Sequence, residues 1–469
     1  MTTTYSASSE IPPAAASLLH SGVHSFITSV VSVVLSMVSS IVIARSLGPA
    51  AKGVADLVFA TSALLTMAFG LSLQSGVVYV VAGGRAVIRG LLARLALLAL
   101  VQTLLAVGLL VILLNTGLSA ALVPPDSAWW SVSAIALMVF FGLLSGHFRS
   151  VLTGLQRIPL VNNIGLSGQV FVMVAILVVI LLAFTDLWRF SVIKVVWIQV
   201  IGVILMTFVL FWFIRPYLIK KIDRNNGFRE VVSISFPSYL ANLVQTLNYR
   251  LDLFFVSYYV DMRGVGLYAL AVGLAQLLWL ISGAASQVLF PDVAASTDRK
   301  AAQERTAYIS RISLWLSIFL AAGVAIIGNV LLPLIYGDSF RDSVPALMWL
   351  LPGVVVFSVP NVIGSFLAGI GKPRLNLMGS FIGFVATIVL DFALIPGLGI
   401  IGAAIASSIS YMVTMMVIMI IFARETNFPL LSSVLLTRGD ITLLFVALRR
   451  ISRGLHAAQD SSTRNLVSK

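Results

Sequence analysis

Arg250 and Asp252 lie inside an apolar stretch, Phe236 to Asp261, that is long enough to cross a bilayer. An ionisable group at the centre of a membrane helix costs about 2.5–3.5 kcal/mol on insertion scales, so it faces a partner or a wet cavity. Ser235, Ser238, Asn242, Gln245, Tyr249, Asp252 and Tyr259 recur at steps of three, four or seven and share one helical face. Hydroxyls, amides and a carboxylate on one stripe suit a solute rich in donors and acceptors. Arg250 points roughly 160° away from Asp252 at 100° per residue, so the two do not pair within the helix. It either pairs with another helix, with Asp56 and Asp391 as candidates, or reaches an anionic solute as a fixed cation. Asp252, on the seam, is expected to face a cleft.

Other chemistry is sparse. His20 and His24 stand four apart with no third ligand nearby, so they read as interfacial packing rather than a metal site. His147 beside Arg149 reads as an inner-interface residue, and Arg45 and Lys52 as anchors at the outer end of the first helix. The chain contains no P-loop, HExxH or GxSxG pattern, and its polar loops are too short for a catalytic domain. No catalytic residue, metal, cofactor or ATP site is expected.

The elements that carry these residues are membrane helices. The chain has 469 residues, 59% hydrophobic and 10% charged, against about 25% charged in soluble domains. Apolar runs of about 20 residues or more predict helical spans, not the short alternating strands of an outer-membrane barrel. Twelve are expected, at about 20–44, 54–82, 88–114, 128–150, 163–184, 191–214, 232–260, 265–290, 309–335, 344–370, 375–396 and 399–422. With the N-terminus in the cytoplasm, 23 of the 30 Lys and Arg fall on the inward side, as the positive-inside rule demands. That distribution assigns the net charge of +13 to topology rather than to nucleic acid. Cysteine is absent, so there are no disulfides. The polar start has no basic n-region and predicts a cytosolic tail over 1–16 rather than a cleaved leader. Pro429 to Leu448, interrupted by Arg438 and Asp440, predicts an interfacial amphipathic helix within a cytoplasmic tail over 424–469.

The chain repeats itself. A shift of 213 residues pairs Gly53 with Gly266, Leu57 with Leu270, Gly70 with Gly283 and Gln74 with Gln287. Shifts of 214 to 215 pair Gly154 with Gly369 and Asn162 with Asn376. The same offset carries the seam onto Ser25, Ser29, Ser32, Ser36 and Ser39 of the first helix. Six spans per copy predict two parallel lobes related by an axis along the membrane normal, at 17–214 and 231–423, with a basic cytoplasmic linker at 215–230. Ser32, Ser36 and Ser39 are then expected to line a central cleft, together with Asp252, Gln245, Asn242 and Tyr249. Small residues also serve close helix packing, and that reading stands beside the first for the serines.

Four stretches carry a family resemblance. IARSLGPAAKGVADL (Ile41–Leu57), RLDLFFVSYYVDMRGVGLYALAVGLAQ (Arg250–Gln276), LLPLIYGDSFRDSVPALMWLLPG (Leu331–Gly353) and the run from Leu367 to Ser407 resemble landmarks of the polysaccharide-transporter branch of the multidrug/oligosaccharidyl-lipid/polysaccharide exporter superfamily. The resemblance covers nearly all twelve spans. It departs at Asp391, where the family usually has Asn before its LIP-x-x-G turn.

The resemblance implies an all-α integral membrane protein whose two lobes form a V-shaped cavity open alternately to either side. It implies a polyprenyl-diphosphate-linked oligosaccharide as substrate, moved from the inner to the outer leaflet of the cytoplasmic membrane, with polymerase or glycosyltransferase partners. A cation-coupled multidrug antiporter of the same fold is the alternative. That branch relies on an acidic residue in the first helix, which this chain lacks, although Asp252 could couple ions. A non-transporting scaffold of a polysaccharide-assembly complex is the third reading, and polar lining argues against it.

Overall fold

The computed structural model describes residues 13–84, 88–125, 127–183, 190–218, 228–429 and 433–436. Most of the expected N-terminal tail, the middle of the basic linker and nearly all of the expected interfacial helix after Pro429 lie outside the described residues, as does the His20 side chain.

Every α-helical or strand element among the described residues is an α-helix: α1 (Pro13–Gly70), α2 (Leu73–Ala82), α3 (Ile88–Leu114), α4 (Ser119–Leu122), α5 (Ala128–Gly154), α6 (Ile158–Ala183), α7 (Val192–Ile214), α8 (Phe228–Tyr259), α9 (Met262–Gln276), α10 (Trp279–Ala295), α11 (Arg299–Tyr336), α12 (Ser343–Val356), α13 (Ser358–Gly369) and α14 (Pro373–Thr426). A helix satisfies its own backbone, which hydrocarbon requires. The two longest helices each turn back once. Gly48 (φ 73°) breaks α1 and Gly399 (φ 57°) breaks α14, both in the left-handed region open to glycine. Dividing there, setting aside the four-residue α4, and counting the second half of α1 with α2, α9 with α10 (bent by 46°) and α12 with α13 as one crossing each, the described helices supply the twelve crossings expected.

Described residues fall into two compact units. The first holds residues up to 270 with 329–344 and 391–403; the second holds 271–328, 345–390 and those from 404 onward. In the first, α1, α3, α5 and α7 close around Val58, Leu110, Ile135, Leu143 and Val200. A second cluster joins α2, α3, α5, α6, α7 and α8 through Val77, Leu95, Val151, Ile164, Leu210 and Val231. In the second unit, Trp279 packs on Phe357 and Tyr411 and donates to the Val354 carbonyl at 3.0 Å.

One contact in the first unit bears on the internal repeat. A Cβ on Gly53 would stand 2.8 Å from Gly266 N, and one on Gly266 would stand 2.9 Å from Gly53 N. Gly53 also meets the Met262 carbonyl, while Gly266 meets the Pro49 carbonyl. The 213-residue shift exchanges these two contacts, since it carries Pro49 to Met262 and Gly53 to Gly266. Reciprocity of this kind is the mark of an isologous contact about a two-fold axis. Only glycine lets two helix backbones approach so closely.

Candidate functional site

A cavity of about 1170 Å³ opens inside the first unit, lined by α1, the start of α2 (Ser72 and Gln74), α5, α6, α7 and one residue of α8. That exceeds the roughly 300–1,000 Å³ of drug-sized pockets. The serine face of α1 forms one wall: Ser29, Ser32, Ser36, Ser39 and Ser40 all line it. After the turn at Gly48 the same helix returns Lys52, Asp56, Ser62 and Thr66 to the cavity.

Its charges are three cations and one carboxylate. Lys52, 5% exposed, pairs with Asp56 one turn on. Arg149 places Nη2 3.0 Å from the Met206 sulfur, a weak acceptor, and its buried Nε has no partner. Arg250 lines the cavity, is exposed, and makes no ion pair among the described residues. The cavity therefore carries two uncompensated positive charges.

They sit far apart. Gly154 of α5 packs on Val81, and Gly76 of α2 packs on Val231 and Ser235. These contacts level Arg149 with the first turns of α8, and Arg250 lies about 25 Å farther along at 1.5 Å per residue.

The expected cleft face of α8 is corrected. Asp252 is 2% exposed and does not line this cavity. Its Oδ1 accepts from Leu253 N at 2.8 Å and its Oδ2 from the Tyr268 hydroxyl of α9. Other residues of the seam, and Tyr239 beside it, bond to neighbouring groups, while Asn242 and Tyr259 stay exposed and the Ser238 side chain lies outside the described residues. Ser235 accepts from Gly76 N at 3.1 Å, Asn242 donates to Ser72 at 3.4 Å, and Tyr239 donates to the Ala68 carbonyl at 2.5 Å. Ala68 precedes the break between α1 and α2, where Leu71 and Ser72 take positive φ and leave carbonyls free. Gln245 donates to the Tyr249 hydroxyl at 2.8 Å, one turn along its own helix. Asn242, Gln245, Tyr249 and Asp252 thus stay off the cavity, and the opposite face of α8 presents Arg250 to it.

Neither candidate partner of Arg250 holds it. Asp56 is taken by Lys52. Asp391 is fully buried, with no hydrogen-bond donor to either oxygen, and within electrostatic reach of Asp252. Two residues expected as anchors also differ. Lys52 is a cavity residue, and Arg45 binds the Leu334 and Ile335 carbonyls at the end of α11, at 2.7 Å for the latter. A cation on the last carbonyls of a helix is favourably placed.

Arg149, Asn162, Gln169 and Gln199 line the cavity without having been singled out as cavity residues from the sequence. Their signal was present: single large polar residues inside otherwise apolar spans, flanked by Gly165, Gly168 and Gly202.

Residues 141–345 match the family described as polysaccharide biosynthesis protein. The probable low-salt glycan biosynthesis flippase Agl15 of Haloferax volcanii is 25% identical over 166 residues, 35% of each chain. The probable multidrug resistance protein NorM of Thermotoga maritima is 26% identical over 216 residues, covering 42% of this chain and 45% of that one. These matches span about a third to a half of the relatives' length. The fold is shared more widely. A lipid II flippase MurJ structure in an inward closed conformation superposes with a TM-score of 0.72 at 15% identity, covering 90% of this chain and 91% of that one. An inward-facing MATE-family multidrug resistance transporter gives 0.66 at 15% identity, over 84% and 94%.

The apolar helices and the shared fold define a multi-pass, all-α membrane protein with the fold of these transporters. The match to the polysaccharide biosynthesis family covers residues 141–345, less than half of the chain.

Proposed function

We propose that the chain carries a polyprenyl-diphosphate-linked oligosaccharide from the inner to the outer leaflet by alternating access. The observation that carries this reading is the charge of the cavity: Arg149 and Arg250 are unpaired among the described residues, while the only carboxylate lining the cavity is matched by Lys52. A cavity with surplus positive charge attracts a diphosphate and repels a cationic drug. Serine and threonine hydroxyls along α1 give a saccharide both donors and acceptors. On this reading the repeated halves, 17–214 and 231–423, rock about the Gly53–Gly266 crossing, both termini lie in the cytoplasm, and a polymerase or glycosyltransferase supplies or consumes the glycan.

The multidrug-antiporter reading is favoured by one feature, the buried Asp252 and Asp391 beside Tyr268, which lie off the cavity where an ion could couple to movement. Depleting the protein separates the two. Accumulation of lipid-linked glycan on the cytoplasmic leaflet supports the flippase; drug sensitivity without accumulation supports the antiporter.

A further inference from the structure

Three contacts that join the repeated halves lie together at one end of the helices, all within the first unit. The Gly53–Gly266 crossing is one. The second ties Arg45, just before the turn at Gly48, to the last turn of α11: Nε donates to the Ile335 carbonyl at 2.7 Å and Nη2 to the Leu334 carbonyl. The third ties Ser257, near the end of α8, to α4, its hydroxyl donating to the Ala120 carbonyl at 2.6 Å.

The last two are counterparts. The 213-residue shift carries Arg45 to Tyr258, beside Ser257, and Leu334 to Ala121, beside Ala120. Each half thus uses the end of its first helix to grip a helix-end carbonyl of the other. A two-fold axis through the glycine crossing sets the two grips on opposite sides of it. On the topology proposed above, this end is the outer one.

Neither grip is built to be permanent. The last carbonyls of a helix lack partners within it, so each takes a donor from outside. Arg45, Leu334 and Ala120 are exposed, so water can replace the donor when the halves part. Opening strands no buried charge, unlike the breaking of a buried ion pair. Such contacts bias a balance and still break in every cycle. Between them, backbone meets backbone at Gly53 and Gly266, with no side chain to unlock.

We propose that Arg45 on the α11 carbonyls and Ser257 on the Ala120 carbonyl are paired clasps that hold the outer end shut until release. This rests on the alternating-access reading above and adds which side chains keep the outer side closed.

The chain lacks cysteine, so one thiol in the cavity reports which side is open. Ser36 lines the cavity and belongs to neither clasp. Ser36→Cys is labelled without substrate by a membrane-impermeant maleimide, added to the outer face of right-side-out vesicles or the cytoplasmic face of inverted ones. Arg45→Ala and Ser257→Ala should each raise the outer-face rate about 2- to 10-fold, and the two together by roughly the product. Cytoplasmic-face labelling should not rise, and Arg45→Lys, which keeps the charge, should stay near the parent. An outer rate unchanged in the double variant overturns the clasps. So does a rise at the cytoplasmic face, which would mean general loosening. Ser257→Ala keeps the test open should Arg45→Ala impair folding. Transport of polyprenyl diphosphates bearing N-acetylglucosamine, glucose or galactose is followed in the same vesicles. Outer labelling that follows the clasps while none of these is moved supports the clasps and sinks the flippase reading.

Discussion

Replacing Arg250 with alanine isolates binding from stability. The guanidinium has no carboxylate partner among the described residues, so the change strands no buried charge. Exposed substitutions of this kind usually stay within about 0.5 kcal/mol in stability. Its effect on an anion is larger. A unit charge about 4 Å from a phosphate oxygen is worth about 4 kcal/mol at an effective dielectric near 20. Hydrogen bonds to charged groups contribute about 1.5–3 kcal/mol net in measured series, and that narrower range is the better guide. Arg250→Ala should therefore weaken capture of a polyprenyl-diphosphate glycan by roughly 10- to 150-fold, with Arg250→Lys recovering much of the loss. The assay is transport of a fluorescent lipid-linked glycan in proteoliposomes, at low and moderate salt, beside thermal melting in detergent. A variant that melts normally and transports at the full rate at low salt would refute the role of the cavity charge.

Three further outcomes follow from the geometry. Lys52→Ala leaves Asp56 uncompensated and should lower stability by about 2–4 kcal/mol, below the full value for a buried pair because Asp56 is partly exposed; adding Asp56→Ala should restore much of the melting temperature. Gly53→Val and Gly266→Val should each destabilise by about 1–3 kcal/mol or more and slow transport, while Gly273→Ala, with nothing within 4 Å of its added Cβ, should match the parent in melting. Tyr268→Phe removes a donor from Asp252 and should cost about 1–3 kcal/mol, measured by melting, without changing thiol labelling at Ser36.

The helical crossings were legible in the sequence because hydrocarbon permits few alternatives, and a span announces itself by length and apolarity. The serine face of α1 was legible for a related reason: serines at steps of three and four mark a face, and the cavity lies on that face. The cavity face of α8 was not. Seven polar residues on one stripe outweighed a lone arginine on the other, yet Ser235 and Asp252 of that stripe are buried in helix contacts and Arg250 is the residue of α8 that lines the cavity. Ser235, Tyr239 and Asn242 meet backbone and hydroxyl groups beside the break at Leu71–Ser72. A sequence pattern gives the direction of a polar face but not what stands opposite it, and no local signal announced that α1 and α2 would expose carbonyls there.

The repeat explains why this ambiguity arises in the C-terminal copy. Its offset carries the α1 serines onto the α8 seam, and the reciprocal contacts at Gly53 and Gly266 retain the symmetry of the crossing. Around that crossing the two copies have diverged in use. In α1 the stripe has small hydroxyl residues: Ser25 accepts from Asn162 of α6 at 2.8 Å, and Ser29, Ser32, Ser36 and Ser39 line the cavity. In α8 the equivalent positions include Asn242, Tyr249 and Asp252, long enough to find partners, and they do. Of these, Asp252 is buried against Tyr268 of α9, Tyr249 accepts from Gln245 of its own helix, and Asn242 stays exposed, while Arg250 on the opposite face lines the cavity. The same sequence pattern can therefore line a path in one half and fasten helices in the other, and what stands opposite each residue decides which: Ser235 meets Gly76 of α2, whereas Ser32 and Ser36 face the cavity.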